Sequence, residues 1–347
     1  MKNKKIMNYA DSGVDISRQD EALSRIKPLV KSTKTSNVRS DLGLFGGLFA
    51  AQFPEIKPIL VSSMDGVGTK MKVARLANQW DTVGQDLVNH CINDILVQGA
   101  RPLFFLDYIA SDRLEPEIIE SIVGGMALAC RNSDCALIGG ELAEMPGVYS
   151  SREIDVAGTI VGVVEESLLL PVLEEMKAGD HLIGLPSSGL HTNGYSLARK
   201  ILFELKGLRI DQVLPGTNET IGDLMLAIHR SYLVPLMDLI HQKKIKGMAH
   251  ITGGGLTDNI PRVLPSNLDA EVNRSSWEIP TLFQFLISEG RLSMEEASRA
   301  LNLGVGMVLI VGEPQLNLVL NHLRSHQSEA WVLGSLRPGT GRVKFQS

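Results

Sequence analysis

LVSSMDGVGTK, residues 60–70, begins as a buried strand and ends in a glycine-rich loop. In the loop, Asp65–Lys70, two glycines, one carboxylate and one lysine occupy six residues. A phosphate cradle uses glycines, exposed backbone N–H groups and a lysine. It does not require an aspartate, so Asp65 indicates a phosphate that binds together with a metal ion. The alternative is an ordinary turn in which Asp65 is incidental.

The loop does not match the two commonest phosphate-binding motifs. In the P-loop, four residues separate the first glycine from its Gly-Lys-Ser/Thr, whereas only Thr69 separates Gly68 from Lys70. The dinucleotide fingerprint requires a third glycine at the position of Met71. A nucleotide site at this loop would therefore have a different design.

The composition is that of a soluble globular chain with one large or two medium domains. The chain has 347 residues, of which 44% are hydrophobic and 21% are charged. Its net charge of −5 argues against a dedicated nucleic-acid binder. It has no apolar run of 18 residues, so no membrane span is predicted.

The cysteines indicate a reducing compartment. There are three, Cys91, Cys130 and Cys135, and their spacing is not that of a zinc site. The lysines near the N-terminus are not followed by the apolar stretch of a secretory signal. A cytoplasmic location is predicted.

The order of the predicted elements indicates an α/β fold with two domains. Apolar strands alternate with amphipathic helices on both sides of a break at residues 168–178. This pattern predicts an N-terminal domain over residues 1–170 and a C-terminal domain over residues 171–347. Residues 222–242 are predicted to be helical, with a bend at Pro235.

Further acids lie within or at the ends of predicted core elements of the first half. Asp94 interrupts an apolar helix, Asp107 interrupts an apolar strand, and Glu141 and Glu144 follow a glycine pair. Burying a lone carboxylate is costly, and Mg²⁺ binds through carboxylates shared with substrate phosphates. Several such acids in one half favour a shared site, although each alone is explained as a helix cap or a hydrogen-bonded buried acid.

Two loops of the second half, PSSGLHTNGYSL (186–197) and HITGGGLTDN (250–259), connect strands to helices. Such loops offer backbone N–H groups at a helix N-terminus, which suits an anion. His191 lies in the first loop, away from any apolar periodicity, and is a candidate acid–base group, although a surface histidine is the simpler explanation. His250 has a weaker claim, and the other histidines show no constellation.

Seven motifs, taken in order, resemble the phosphoribosylformylglycinamidine cyclo-ligase family, also called aminoimidazole ribonucleotide synthetases. They are YADSGVDI (9–16), DGVGTK (65–70), CINDILVQGARPLFFLDYIA (91–110), GGELAEMPGVY (139–149), SSGLHTNGYSL (187–197), HITGGGLTDNIPRVLP (250–265) and LNLGVGM (301–307). The resemblance runs from about Tyr9 to about residue 335. It implies a homodimer of two-domain chains in which the N-terminal sheets pair. It also implies cyclisation of formylglycinamidine ribonucleotide by ATP.

The resemblance also implies a set of site residues. Asp65, Asp94 and Glu141 would bind Mg²⁺, and His191, Asp94 and Lys70 would be catalytic. The nucleotide would be bound by Lys27, Gly66, Val67, Gly68, Thr69, Lys70, Asn193, Gly253, Gly254 and Gly255. The rival interpretations are a small-molecule kinase of the same superfamily and an inactive nucleotide-binding regulator.

Overall fold

The computed structural model describes residues 16–42 and 46–346. The first motif lies outside the described residues except for its last residue. So does part of segment 41–49, a glycine-rich stretch that the sequence predicts to be a strand or a lining loop. The α-helices are α1 (Ile16–Lys31), α2 (Lys70–Ala77), α3 (Asp81–Leu96), α4 (Pro116–Asn132), α5 (Tyr195–Arg199), α6 (Ile221–Leu226), α7 (Leu233–His241), α8 (Gly255–Asn259), α9 (Thr281–Gly290), α10 (Met294–Ala300) and α11 (Leu316–Ser325). The strands are β1 (Pro58–Gly66), β2 (Arg101–Ser111), β3 (Ala136–Glu144), β4 (Ile154–Glu165), β5 (His181–Pro186), β6 (Gly247–His250), β7 (Leu268–Asn273), β8 (Val305–Val311), β9 (Trp331–Pro338) and β10 (Val343–Gln346).

The first sheet has four strands in the order β1-β4-β2-β3. Strands β2 and β3 are parallel, and the other pairs are antiparallel. Helices α3 and α4 pack together closely at Gly84. Any larger residue there would clash, since its Cβ would lie only 2.0 Å from the carbonyl oxygen of Ile122. On the face of β1 that points away from α3, Leu60 and Met64 are 60% and 66% exposed.

The second sheet has six strands in the order β10-β7-β9-β5-β8-β6. All seven residues of β8 are buried, as expected of a central strand covered on both faces. The mixed α/β class predicted from the sequence is therefore confirmed. Strands β7 and β10 and helices α2 and α9 were not predicted.

The prediction of one bent helix over residues 222–242 is wrong. Helix α6 ends at Leu226 and α7 begins at Leu233, so Pro235 lies in the first turn of α7, where proline is tolerated. The intervening segment, residues 227–232, uses its backbone for contacts with the first domain. Asn89 Nδ2 donates to the carbonyl oxygen of His229, and Asn93 Nδ2 donates to that of Arg230, both at 2.8 Å. These contacts replace the hydrogen bonds of a continuous helix.

Among the described residues, no helix is both long enough and apolar enough to cross a membrane.

Candidate active site

A cleft of about 370 Å³ lies between the two domains. Strand β1 and helix α3 form one wall, and β6 with the segment that follows it forms the other. Its size is within the range of small-molecule sites. The residues that line it are Ser62, Ser63, Asp65, His90, Asp94, Val97, Gln98, Asn193, Met248, Ala249, His250, Thr252, Asn259, Arg262 and Val263.

Two carboxylates share the first wall of this cleft. Asp65 comes from the end of β1 and Asp94 from the last turn of α3. The hydroxyl of Ser63 lies 3.2 Å from Asp65 Oδ2 and 3.3 Å from Asp94 Oδ2, so it connects them. Their side chains are 28% and 27% exposed. The structure therefore brings together two of the three acids predicted to bind a metal.

Four histidines lie behind and beside these acids. His250 Nδ1 is 2.7 Å from Asp94 Oδ1, and His250 Nε2 is 3.1 Å from His229 Nε2. His90 Nε2 is 3.3 Å from Asp65 Oδ1. The ring of His191 stacks on that of His229 with a centroid distance of 3.9 Å. Of these, His90 and His250 line the cleft.

The sequence did not reveal this cluster, because its members come from four separate segments. One signal was available: His90 and Asp94 are four residues apart on a helix and therefore lie on the same face. His90 and His250, rather than His191, are the histidines that reach the cleft in this structure.

Burial and the two acids set the protonation of the cluster. Burial lowers the pKa values of His191, His229 and His250, which favours neutral rings. Burial also opposes the charge on His90, but its hydrogen bond to Asp65 and the charge of Asp94 outweigh this and raise its pKa. For Asp94, burial acts to raise the pKa, and the hydrogen bond with His250 reverses the direction and lowers it. Asp94 is therefore held in its ionised form beside His90.

Lys70 is placed differently from the expectation that it meets phosphates. Its side chain is fully buried, and its Nζ lies 2.6 Å from Asp86 Oδ2, which is also fully buried. Lys70 Nζ also donates to the carbonyl oxygen of Ala227 at 2.8 Å, which ties α2 to the second domain. Burial lowers the pKa of Lys70, and Asp86 acts in the opposite direction. The ammonium group is thus already neutralised inside the protein.

Comparison with known proteins gives matches along nearly the whole chain. Residues 52–164 match the family model "AIR synthase related protein, N-terminal domain", and residues 177–345 match the corresponding C-terminal domain. A phosphoribosylformylglycinamidine cyclo-ligase of Alkaliphilus metalliredigens is 46% identical, with 97% of each chain covered. One of Geotalea uraniireducens is 48% identical, with 95% of each chain covered.

The chain belongs to the phosphoribosylformylglycinamidine cyclo-ligase family. The family and the enzyme class predicted from the sequence are both confirmed. A human trifunctional purine biosynthetic protein, adenosine-3, is also 46% identical over 98% of this chain, which corresponds to 34% of that protein.

Solved structures with little sequence identity share the fold. A thiamine-monophosphate kinase from Stenotrophomonas maltophilia superposes with a TM-score of 0.70 at 18% identity, covering 94% of this chain and 96% of the other. The hydrogenase maturation protein HypE, solved in complex with ATP, superposes with a TM-score of 0.65 at 17% identity, covering 96% and 92%. These likenesses concern the fold alone.

Glu141, the third acid that the resemblance assigns to the metal, is not near the other two within one chain. Asp65 is in register with Gly158, Asp107 and Gly140 across the sheet, whereas Glu141 pairs with Tyr108 in the next row. Because side chains alternate along a strand, Glu141 points to the opposite face. It also lies three strands away, or about 14 Å. The expected three-acid set is therefore divided in the structure.

His191 and Lys27 also lie outside the cleft. His191 is 1% exposed, and its Nε2 accepts a hydrogen bond from the backbone N–H of Ser188 at 3.0 Å. It lies behind the cleft because its ring stacks on His229 in the interior. Lys27 is exposed on α1 and is not among the cleft residues.

The predicted nucleotide loops are only partly at the cleft. In the loop after β1, Val67 is buried and its N–H donates to the carbonyl oxygen of Val156. Gly66 and Gly68 are exposed there, and Gly68 has a φ of 66°. Thr69 Oγ1 lies 3.0 Å from Ser196 Oγ of the second domain. In the second domain, Asn193 lines the cleft next to Gly253, while Gly254 and Gly255 form the positive-φ entry to α8.

Proposed function

We propose that this chain catalyses the ATP-dependent ring closure of formylglycinamidine ribonucleotide in purine biosynthesis. The products are aminoimidazole ribonucleotide, ADP and phosphate. The observation that carries the proposal is the open carboxylate pair, Asp65 and Asp94, in an interdomain cleft. The chain around it is nearly half identical to curated cyclo-ligases over nearly its whole length.

The reaction proceeds in two displacements. The formamide oxygen attacks the γ-phosphorus of ATP, the formamide nitrogen loses its proton, the bond from phosphorus to the bridging oxygen breaks, and ADP leaves. The resulting iminophosphate carbon is attacked by the amidine-side nitrogen, which loses its proton, and the C–O bond breaks as phosphate leaves. Phosphoryl transfer of this kind depends mainly on positioning and on stabilising charge.

Asp65 and Asp94 suit Mg²⁺ brought in with the triphosphate. Mg²⁺ is typically held by one or two carboxylates together with substrate phosphates. The two acids are adjacent and partly exposed, and His250 and His90 orient one oxygen of each. The ion would neutralise phosphate charge. His90 and His250 line the cleft and hold the two acids in place, His90 through Asp65 and His250 through Asp94.

The active form is proposed to be a homodimer in the cytoplasm. On the face of the first sheet away from α3, Leu60 and Met64 are exposed on β1, beside a four-stranded sheet with free edges. Exposed apolar sheet surface is usually covered in the native assembly. A second copy of the same face covers it, and a monomeric mass by light scattering at micromolar concentration would contradict this. The three free, buried cysteines suit a reducing compartment.

Incubation of the purified chain with ATP, Mg²⁺ and formylglycinamidine ribonucleotide tests the function. Aminoimidazole ribonucleotide and ADP should appear in equal amounts. Asp94→Asn should lower turnover by about 10²–10³-fold, because it removes a charge that holds the phosphates, while Asp134→Asn, at an exposed site, should not. ADP formation without aminoimidazole ribonucleotide would overturn the proposal and indicate a kinase.

A further inference from the structure

A second cluster of potential metal ligands lies outside the cleft, where helices α7 and α11 pack together. It consists of Asp238 on α7, His322 on α11 and His326 at the end of α11. One ligand atom from each residue lies within 4.8 Å of the other two. His322 and His326 are four residues apart and so lie on one helical face, with their ring centroids 4.3 Å apart.

Backbone carbonyls fix the orientation of both rings. His322 Nε2 lies 3.2 Å from the carbonyl oxygen of Pro235, and His326 Nδ1 lies 3.0 Å from the carbonyl oxygen of His322. A carbonyl only accepts, so in each ring the nitrogen facing it carries the proton. The other nitrogen, Nδ1 of His322 and Nε2 of His326, then keeps its lone pair. Histidines that bind metals are typically held this way, with the second ring N–H donated to a carbonyl or carboxylate.

We propose that Asp238, His322 and His326 form a binding site for a divalent transition-metal ion of the Zn²⁺ class. Two imidazole nitrogens and one carboxylate are a donor set that suits zinc, with water in the remaining position. The site is chemically distinct from the acid pair of the cleft, which offers oxygen ligands suited to Mg²⁺.

The ion links α7 to α11. Helix α7 begins directly after residues 227–232, the segment whose carbonyls bind Lys70, Asn89 and Asn93. A metal that binds only the folded chain stabilises it. The site therefore acts as a clamp on the helix that follows the interdomain contact.

Equilibrium dialysis of the chelator-treated full chain against ZnCl₂ tests the proposal. The wild type should bind one more zinc ion per chain than the His322→Ala/His326→Ala double variant. Histidines in the cleft are present in both proteins, so any zinc they bind cancels in this difference. Asp238→Asn should weaken binding at this site by at least about tenfold. At a 100-fold excess over Kd, zinc should raise the wild-type Tm by about 3–6 °C more than that of the double variant.

His241→Ala, which removes another exposed histidine from α7, serves as the control and should bind zinc like the wild type. If the double variant does not fold, His326→Gln at an exposed position replaces it. Equal zinc stoichiometry and affinity in the wild type and in the histidine variants would overturn the proposal. So would an equal loss of zinc in His241→Ala.

Discussion

The rim of the cleft and the layer directly behind it both contain charged groups, but in opposite states. At the rim, Asp65 and Asp94 are about one-quarter exposed. They contact the hydroxyl of Ser63 and the rings of His90 and His250. Behind it, Lys70 and Asp86 are fully buried and paired with each other. Charge that must bind a ligand has to remain open, whereas charge neutralised inside the protein contributes to the architecture instead.

This difference assigns separate consequences to the two regions. Substitutions in the buried layer should act mainly on folding, because a buried charge without its partner is very costly. Substitutions at the rim should act mainly on binding and turnover, because those side chains already contact water. The four predictions below test this division.

The largest effect is expected for Lys70→Met. It leaves Asp86 buried without a counter-charge and should lower the free energy of unfolding by about 3–5 kcal/mol in urea denaturation. Lys72 lies two residues further along, is half-buried and pairs with Glu153. Lys72→Met should therefore lower the free energy of unfolding by less than about 1 kcal/mol. A Lys70 variant as stable as the wild type but unable to bind ATP would place Lys70 at the phosphates after all.

His90→Ala and His191→Ala compare a histidine at the rim with one behind it. His90→Ala should reduce turnover by about 10–100-fold, because it removes the ring that holds Asp65 at the cleft. His191→Ala should mainly lower the free energy of unfolding, by about 2–4 kcal/mol, because it leaves a cavity beside His229. Steady-state kinetics with urea titrations on both variants separate the two. If His191→Ala shows the greater loss of turnover at normal stability, His191 reaches the substrate.

Asp65→Asn should weaken Mg·ATP binding by about 10–100-fold, because it removes one charge from the acid pair. Calorimetric titration with ATP in the presence and absence of Mg²⁺ measures this, and the Tm without ligand should stay close to the wild-type value. Glu141→Gln is the comparison variant. It should leave Mg·ATP binding nearly unchanged, because Glu141 lies on the opposite face of the sheet. An equal effect of both substitutions would require Glu141 to reach the nucleotide site from a second chain.

The smallest effect concerns Asp107, a half-buried acid between Gly158 and Gly140 in the first sheet. Burial raises its pKa to about 7. Between about pH 4 and 7 the folded chain therefore holds a proton that the unfolded chain has lost, so stability falls as pH rises through this window. Asp107→Asn removes this pH dependence of stability, because the amide does not titrate. From pH 5 to pH 8 the wild-type Tm should fall by about 2–5 °C more than that of the variant, and parallel Tm profiles would contradict the raised pKa.

Much of the fold was predictable because its signals are local. The alternation of strands and helices through β1, α3, β2 and α4 was evident from apolar periodicity and from Pro116 at the start of α4. The break between α6 and α7 was not. Residues 222–242 are apolar enough for one helix, and only contacts with Lys70, Asn89 and Asn93 show why the chain leaves it.

The candidate site was predictable in part for the same reason. Asp65 and Asp94 each stand out against an apolar background, and the structure places them together. Glu141 stands out equally, yet it lies on the other face, because one residue along a strand reverses the direction of a side chain. For His90 the only signal was its spacing from Asp94 along α3, and the contact of His250 with Asp94 forms only where the two domains meet.

The sequence by itself determined the family, the α/β class and the two acids of the cleft, because motifs and periodicity are properties of neighbouring residues. The tertiary structure alone decided which charges are open and which are buried. Lys70 follows a glycine-rich loop and looks like a phosphate ligand, but it is paired with Asp86, sixteen residues further along the chain. Whether a charged side chain binds a ligand or another side chain depends on its distance to the nearest opposite charge and on its access to water, and folding fixes both.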